Sequence, residues 1–140
     1  MASVFSKIIA GEFPGRFVWR DDAVVAFLSI NPIRPGHTLV VPRDEVSHWT
    51  DLESSVWARC ATVSQHIGQG ILQAFDSPRV GSAIAGFEVP HTHIHVLQLH
   101  DMDDLDFARA QTDPDPAEMD DAAERIRQAL QQLGHGDFVA

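Results

Sequence analysis

Three histidines stand at alternate positions in one short apolar stretch of the sequence. His91, His93 and His95 alternate with Thr92 and Ile94. Residues two apart in a β-strand project from the same face, so the spacing predicts three imidazoles on one face and smaller or apolar partners on the other. Such strict alternation favours a functional site over a surface strand that is merely rich in histidine.

Two kinds of chemistry suit a row of imidazoles. The first is zinc binding, because imidazole is a common zinc ligand, but supporting ligands are missing: the chain has one cysteine, no H-E-x-x-H motif and no glutamate between His95 and Glu118. The second is covalent catalysis at phosphorus. A neutral imidazole is a nucleophile near pH 7, and neighbouring imidazoles can neutralise phosphoryl oxygens and protonate a leaving group.

The other candidate residues have simpler structural interpretations. Four histidines are expected to be solvated or to lie on helix faces: His48, His66, His100 and His135. Four aspartates lack the glycine and ligand order of a calcium loop and are interpreted as a solvated loop: Asp101, Asp103, Asp104 and Asp106. Cys60 lies in a helical apolar pattern, which favours a buried packing residue over a catalytic thiol.

The histidine row needs a sheet and helices to position it. Strands are predicted at 17–19, 24–28, 37–41, 80–85 and 91–99, the first two forming a hairpin. Helices are predicted within 3–10, over about 52–75 after the capping-box pair Thr50 and Glu53, and over about 116–133. Glycines at 68 and 70 predict a weakened end of the long helix. Because strands and helices do not alternate along the chain, the expected fold class is α+β: an antiparallel five-stranded sheet with one long central helix, a C-terminal helix and a short N-terminal helix.

Composition and charge limit the possible partners. The 140 residues, 44 % of them hydrophobic, suffice for a single domain over 1–140, with an acidic C-terminal loop and helix from about 100. The net charge of −10 excludes polymeric nucleic acid and anionic membrane surfaces as partners. The first residues lack an export signal, no apolar run is long enough to span a membrane, and the lone cysteine suits a reducing compartment, so a cytoplasmic location is expected.

The segment from His91 to Leu97, HTHIHVL, resembles the His-φ-His-φ-His-φ-φ signature of the histidine triad (HIT) superfamily. Three further segments are similar to that family in order and spacing: FSKIIAGEFP at 5–14, AFLSINP at 26–32 and PGHTLVVPR at 35–43. The resemblance covers roughly residues 3 to 100, and the joint occurrence of these segments makes it highly specific.

The resemblance implies a nucleotide hydrolase or transferase. Such an enzyme cleaves at the α-phosphorus of a nucleoside phosphoramidate or a dinucleoside polyphosphate, takes a purine nucleotide or its conjugate as ligand, and is usually a homodimer without a cofactor. By position His93 would be the nucleophile that becomes nucleotidylated, and His95 would contact the phosphate and leaving group. His91 and His37 would support the cluster from either side.

The resemblance also implies a nucleotide-binding set: Ser29, Ile8, Phe17, Val25, Phe27, Phe87 and Glu88. Ser29 stands where the family commonly has a carboxylate or amide that contacts the ribose, and Phe87 and Glu88 replace a polar pair near the phosphate. These departures support an alternative, a nucleotide-binding or interaction protein with little or no turnover.

Metal binding and the acidic C-terminal third leave further alternatives. Ser3 and Ser6 stand where some relatives have a zinc-binding cysteine pair, so no structural zinc is predicted; a histidine-metal protein is a third functional hypothesis. The C-terminal third is interpreted as a solvated cover, with a dimer contact or a gate over the site as alternatives.

Overall fold

A five-stranded antiparallel sheet forms the centre of the molecule. The computed structural model describes residues 2–140. The strands are β1 (Phe17–Arg20), β2 (Val24–Leu28), β3 (Thr38–Pro42), β4 (Arg79–Ala83) and β5 (Ile94–Leu99). Their order across the sheet is β1-β2-β3-β5-β4, and every neighbouring pair is antiparallel. The helices are α1 (Val4–Ile9), α2 (Ser54–Ala74) and α3 (Pro116–Gln132), which confirms the predicted α+β class.

Apolar side chains cover both faces of the sheet. One face packs against α2 and α3 through residues such as Val40, Ile94 and Val96. The opposite face carries a smaller cluster to which α1 contributes Phe5 and Ile8. β2 is buried along its whole length because both of its faces are covered, which explains its uninterrupted apolar sequence.

The start of α2 differs from the capping prediction. Thr50 lies in a separate 3₁₀ turn, Trp49–Asp51, and Glu53 caps α2 without a side-chain hydrogen bond, so the predicted capping box is wrong. α2 continues through Gly68 and Gly70 to Ala74, and the weakening of its C-terminal half stays a prediction. Gly70 lies where an added Cβ would come within 3.1 Å of Leu130, so its small size permits the close approach of α3.

The C-terminal helix is part of the core rather than a solvated cover. Asp115 caps α3 by accepting from the Ala117 N–H, as its sequence predicts. Met119, Ile126 and Leu130 of α3 are buried in the cluster beneath the sheet. In the described residues no helix is both long and apolar enough to cross a membrane.

The histidine row begins before its strand does. β5 starts at Ile94, so the predicted strand is wrong for its first three residues. The backbone there bonds elsewhere: His91 N–H donates to the Val89 carbonyl, and the Thr92 N–H and hydroxyl both donate to the Val46 carbonyl at 2.8 Å. The segment before β5 is thereby fixed to the loop that follows β3.

Candidate active site

A cavity of about 540 Å³ lies between α1, the sheet and the histidine segment. Its apolar walls come from residues such as Phe5, Ile8, Phe27 and Leu39. Its polar lining is formed by Arg16, Ser29, Asn31, Glu88, His93, His95 and Asp120. The cavity therefore joins an apolar region to a histidine-bearing region, the form of a small-molecule site with a few converging polar groups.

The structure brings six of the eleven predicted site residues to this cavity: Ile8, Phe27, Ser29, Glu88, His93 and His95. His37 and His91 are buried and contact the lining histidines from behind. Phe17 and Val25 belong to the apolar cluster behind the cavity wall. Phe87 is 98 % exposed and lies outside the cavity lining.

His37 and His95 form a hydrogen-bonded pair across neighbouring strands. His37 directly precedes β3, after a turn in which Gly36 has φ +85°, a conformation that glycine adopts without strain. The Nδ1 of His37 accepts from the Ile33 N–H at 3.1 Å, so its Nε2 carries the proton and donates to His95 Nδ1 at 2.9 Å. The proton of neutral His95 is therefore on Nε2.

Burial keeps this pair uncharged. It lowers the pKa of His37 from 6.5 to about 4. Burial, followed by the neighbouring His37 and His93, lowers the pKa of His95 to about 3. At neutral pH the cavity thus contains a neutral imidazole donor rather than an imidazolium.

His91 orients His93 through its backbone. His93 Nδ1 donates to the His91 carbonyl at 2.7 Å, which leaves the lone pair on His93 Nε2. The ring of His91 donates through Nε2 to the Pro42 carbonyl at 2.7 Å, and burial lowers its pKa. The rings of His93 and His95 lie with centroids 5.1 Å apart. A nucleophilic nitrogen and an N–H donor are thus adjacent.

The acidic segment after β5 supplies a contact that the sequence analysis missed. Phe107 packs edge-on against His95, with centroids 4.6 Å apart. Asp104 is buried, forms an ion pair with Arg34 at 2.7 Å and accepts from the His100 N–H. The interpretation of a fully solvated loop is therefore wrong at Asp104, whose partner lies 70 residues away in the sequence and left no local signal.

A model of the HIT domain matches residues 10–102, about two thirds of the chain. The chain belongs to the HIT family. Two relatives illustrate its range. An uncharacterized HIT-like protein of Borreliella burgdorferi is 35 % identical over 76 % of this chain and 81 % of its own. The purine nucleoside phosphoramidase of Escherichia coli is 34 % identical over 68 % of this chain and 85 % of its own.

A solved HIT structure shares the whole fold. The zinc-bound histidine triad family protein of Mycobacterium smegmatis superposes with a TM-score of 0.81 at 27 % identity, covering 97 % of this chain and 98 % of that one. Within residues 2–140 of the present HIT protein, no three His, Cys, Asp or Glu side chains are grouped as metal ligands.

Proposed function

We propose that this HIT protein is a hydrolase or transferase that cleaves nucleoside phosphoramidates or dinucleoside polyphosphates at the α-phosphorus through a nucleotidyl intermediate on His93. The observation that carries the proposal is the hydrogen bond from His93 Nδ1 to the His91 carbonyl, which directs the lone pair to Nε2 in a ring that lines the cavity. A neutral imidazole so oriented is a competent nucleophile toward phosphorus.

The two regions of the cavity suit the two ends of a purine nucleotide. The base would lie against Phe5, Ile8 and Phe27, and the phosphate would lie at His93 and His95. Ser29 lies in the lining, where its hydroxyl is available to the ribose.

The reaction proceeds in two balanced steps. His93 Nε2 forms a bond to the α-phosphorus while the bond to the leaving group breaks, and the leaving group takes up one proton from solvent, to which the second step returns one. The Nε2–H of His95 is positioned to hydrogen-bond the departing atom. Water then cleaves the bond between His93 and phosphorus, which releases the nucleoside monophosphate and returns the proton. Similarity to the E. coli purine nucleoside phosphoramidase supports a phosphorus–nitrogen substrate.

Intact-protein mass spectrometry tests this proposal. Wild-type and His93→Ala proteins are mixed with an adenosine phosphoramidate and quenched early at a pH that preserves P–N bonds. We expect an adduct of one nucleoside monophosphate on the wild type and on the control His48→Ala, whose histidine is exposed, and none on His93→Ala. Full hydrolysis by His93→Ala would refute the mechanism.

One feature of the cavity favours a second candidate, a nucleotide-binding protein with little turnover. Glu88 brings an exposed carboxylate to the same cavity as His93 and His95, where it repels a phosphate. This candidate predicts nucleotide binding by calorimetry without adduct or product, and Glu88→Gln would then strengthen binding.

We also infer a homodimer formed through β4. β1 and β4 are the two edges of the sheet. Because Arg127 of α3 donates to the Phe17 carbonyl of β1 and so covers part of that edge, we take β4 as the pairing edge. A groove between α2 and β4 is lined by Trp57, Leu72 and Val80 among others. Pairing of two β4 edges would cover this groove and extend the sheet across a two-fold axis.

A further inference from the structure

Ser3, Ser6, Glu45 and His91 form a hydrogen-bonded cluster behind the cavity, which we call the serine clamp. Ser3 Oγ lies 2.7 Å from His91 Nδ1, and Ser6 donates to Ser3 Oγ from its backbone at 3.0 Å. Glu45 Oε1 accepts from the Ser3 N–H and, at 2.7 Å, from the Ser6 hydroxyl. Ser3 and His91 are buried, whereas Glu45 faces solvent.

The protons of the serine clamp can be assigned from its partners. Because the Pro42 carbonyl can only accept, His91 Nε2 must carry the ring proton. His91 Nδ1 is then an acceptor, and the Ser3 hydroxyl donates to it while accepting from Ser6. The carboxylate of Glu45 accepts from the N–H of Ser3, which caps α1, and from the hydroxyl of Ser6 within α1; these bonds lower the pKa of Glu45, the bond from the Ser3 N–H most of all. Each of these bonding groups therefore has a complementary partner without a metal ion.

The residues of the serine clamp do not fit zinc as they stand. Zinc sites in proteins use thiolate, imidazole and carboxylate ligands, usually four in number. The clamp offers one imidazole and one carboxylate, and the two remaining positions are neutral hydroxyls. The lone pair that His91 Nδ1 would give to a metal is already used by Ser3.

The serine clamp also joins three segments of the chain. Ser3 caps α1 and Ser6 lies within it, Glu45 lies in the loop after β3, and His91 lies in the segment before β5. That loop is held a second time, because Val46 accepts both bonds from Thr92, the residue between His91 and His93. The clamp therefore fixes the His91 ring, and with it the carbonyl that orients His93.

We propose that the serine clamp replaces a structural zinc site in this HIT protein and acts as a positioning device: Ser3 anchors the His91 ring, whose tautomer the Pro42 carbonyl sets, and thereby holds the backbone carbonyl that orients His93. Its effect on turnover rests on the proposed function, whereas its metal-free character and its effect on the two rings do not.

Metal binding gives the first test. We expect zinc to leave the melting temperature of the wild type unchanged and to be absent after gel filtration. The double variant Ser3→Cys/Ser6→Cys has the C-x₂-C spacing beside Glu45 and His91, so it should retain one zinc per chain and lose several degrees of melting temperature when chelated. The control Ser54→Cys/Ser55→Cys carries two thiols at the exposed start of α2 and should bind less zinc.

Two results would overturn the metal-free assignment. One is a stoichiometric zinc in the wild type that Glu45→Ala loses. The other is a Ser3→Cys/Ser6→Cys protein that binds no more zinc than the Ser54→Cys/Ser55→Cys control. Zinc in the wild type that survives Glu45→Ala is bound away from the serine clamp and leaves the assignment supported.

Imidazole ¹⁵N spectra of the free protein test the positioning role. In the wild type, protons are expected on His91 Nε2 and His93 Nδ1. In Ser3→Ala the His91 Nδ1 resonance should move and a second His93 tautomer should appear, while the control Ser55→Ala leaves both rings unchanged. Unchanged spectra of both rings in Ser3→Ala would overturn the positioning role.

Turnover separates this inference from the proposed function. If the enzyme is active, Ser3→Ala should lower the rate of adduct formation on His93 by roughly tenfold, the effect of about 1.4 kcal/mol on the barrier. If neither wild type nor variant forms an adduct but the ¹⁵N spectra change as expected, the serine clamp stands and the proposed function fails. If the wild type is active but Ser3→Ala changes neither the rate nor the spectra, the proposed function stands and the positioning role of the serine clamp fails.

Discussion

The histidine rings of the site differ in which ring nitrogen carries the proton. His37 Nδ1 accepts from the Ile33 N–H, and His93 Nδ1 donates to the His91 carbonyl, so backbone groups determine both tautomers. As a result, His93 presents a lone pair and His95 an N–H before any ligand arrives. Such preorganisation removes part of the reorganisation that catalysis would otherwise require.

Replacing His37 should weaken the pH dependence of the free energy of unfolding. Its pKa is about 4 in the folded protein and near 6.5 when unfolded, so between these values the unfolded chain binds more protons. The contribution of His37 to the free energy of unfolding is therefore fully present above pH 6.5 and is lost as the pH drops toward 4, a change of up to about 3 kcal/mol. Urea unfolding at several pH values should show a smaller slope for His37→Gln, and an equal slope would contradict the assignment.

At the scale of secondary structure, Asp104 fixes the turns that follow β5 against the loop before β3. We expect Asp104→Asn to lower the free energy of unfolding by about 2 kcal/mol, because the ion pair with Arg34 is lost at a buried carboxylate but the arginine is partly solvated. The Arg34 side chain also lowers the pKa of Asp104 to about 2, so the contribution persists above pH 4 and is lost as the pH falls toward 2. The exposed Asp103→Asn is the control in chemical denaturation, and equal stability of both variants would refute the role.

The 3₁₀ turn Phe107–Arg109 contributes to the burial of His95. Burial is the main cause of the low pKa of His95, and Phe107 packs edge-on against this ring. Phe107→Ala should therefore raise the pKa of His95 from about 3 toward its ordinary value, as measured by an NMR titration of the ring. The exposed Phe87→Ala provides the comparison, and an unchanged titration of His95 in Phe107→Ala would contradict the assignment.

Elements with local signals were predicted well, and contacts between distant segments were not. β2 was predicted over its full length because it is apolar throughout, and α3 because Asp115 and Pro116 mark its start. The start of β5 was missed because Thr92 bonds to Val46 rather than to a strand. The partnership of Ser3 with His91 spans 88 residues, so no local spacing could indicate it. Alternation and family resemblance both pointed to His91, His93 and His95, whereas His37 was indicated by the resemblance alone, and its ring contacts that of His95.

The whole molecule is expected to pair through its β4 edge. Leu72 is 45 % exposed in the groove between α2 and β4, so Leu72→Asp should convert a dimer into a monomer in light scattering. Leu133, also partly exposed but beyond the end of α3, supplies the control Leu133→Asp, which should remain dimeric. A monomeric wild type, or a Leu72→Asp protein that stays dimeric, would refute this interface.

The pairing of β3 with β5 has a consequence for synthesis of the chain. His37 and His95 lie 58 residues apart, and α2 and β4 are made between them. A nascent chain that has emerged only as far as β4 has no β5 to complete the ladder, and contacts of such long sequence separation form late in folding. The histidines therefore meet only after β5 has left the ribosome, so a truncated translation product cannot carry the assembled site.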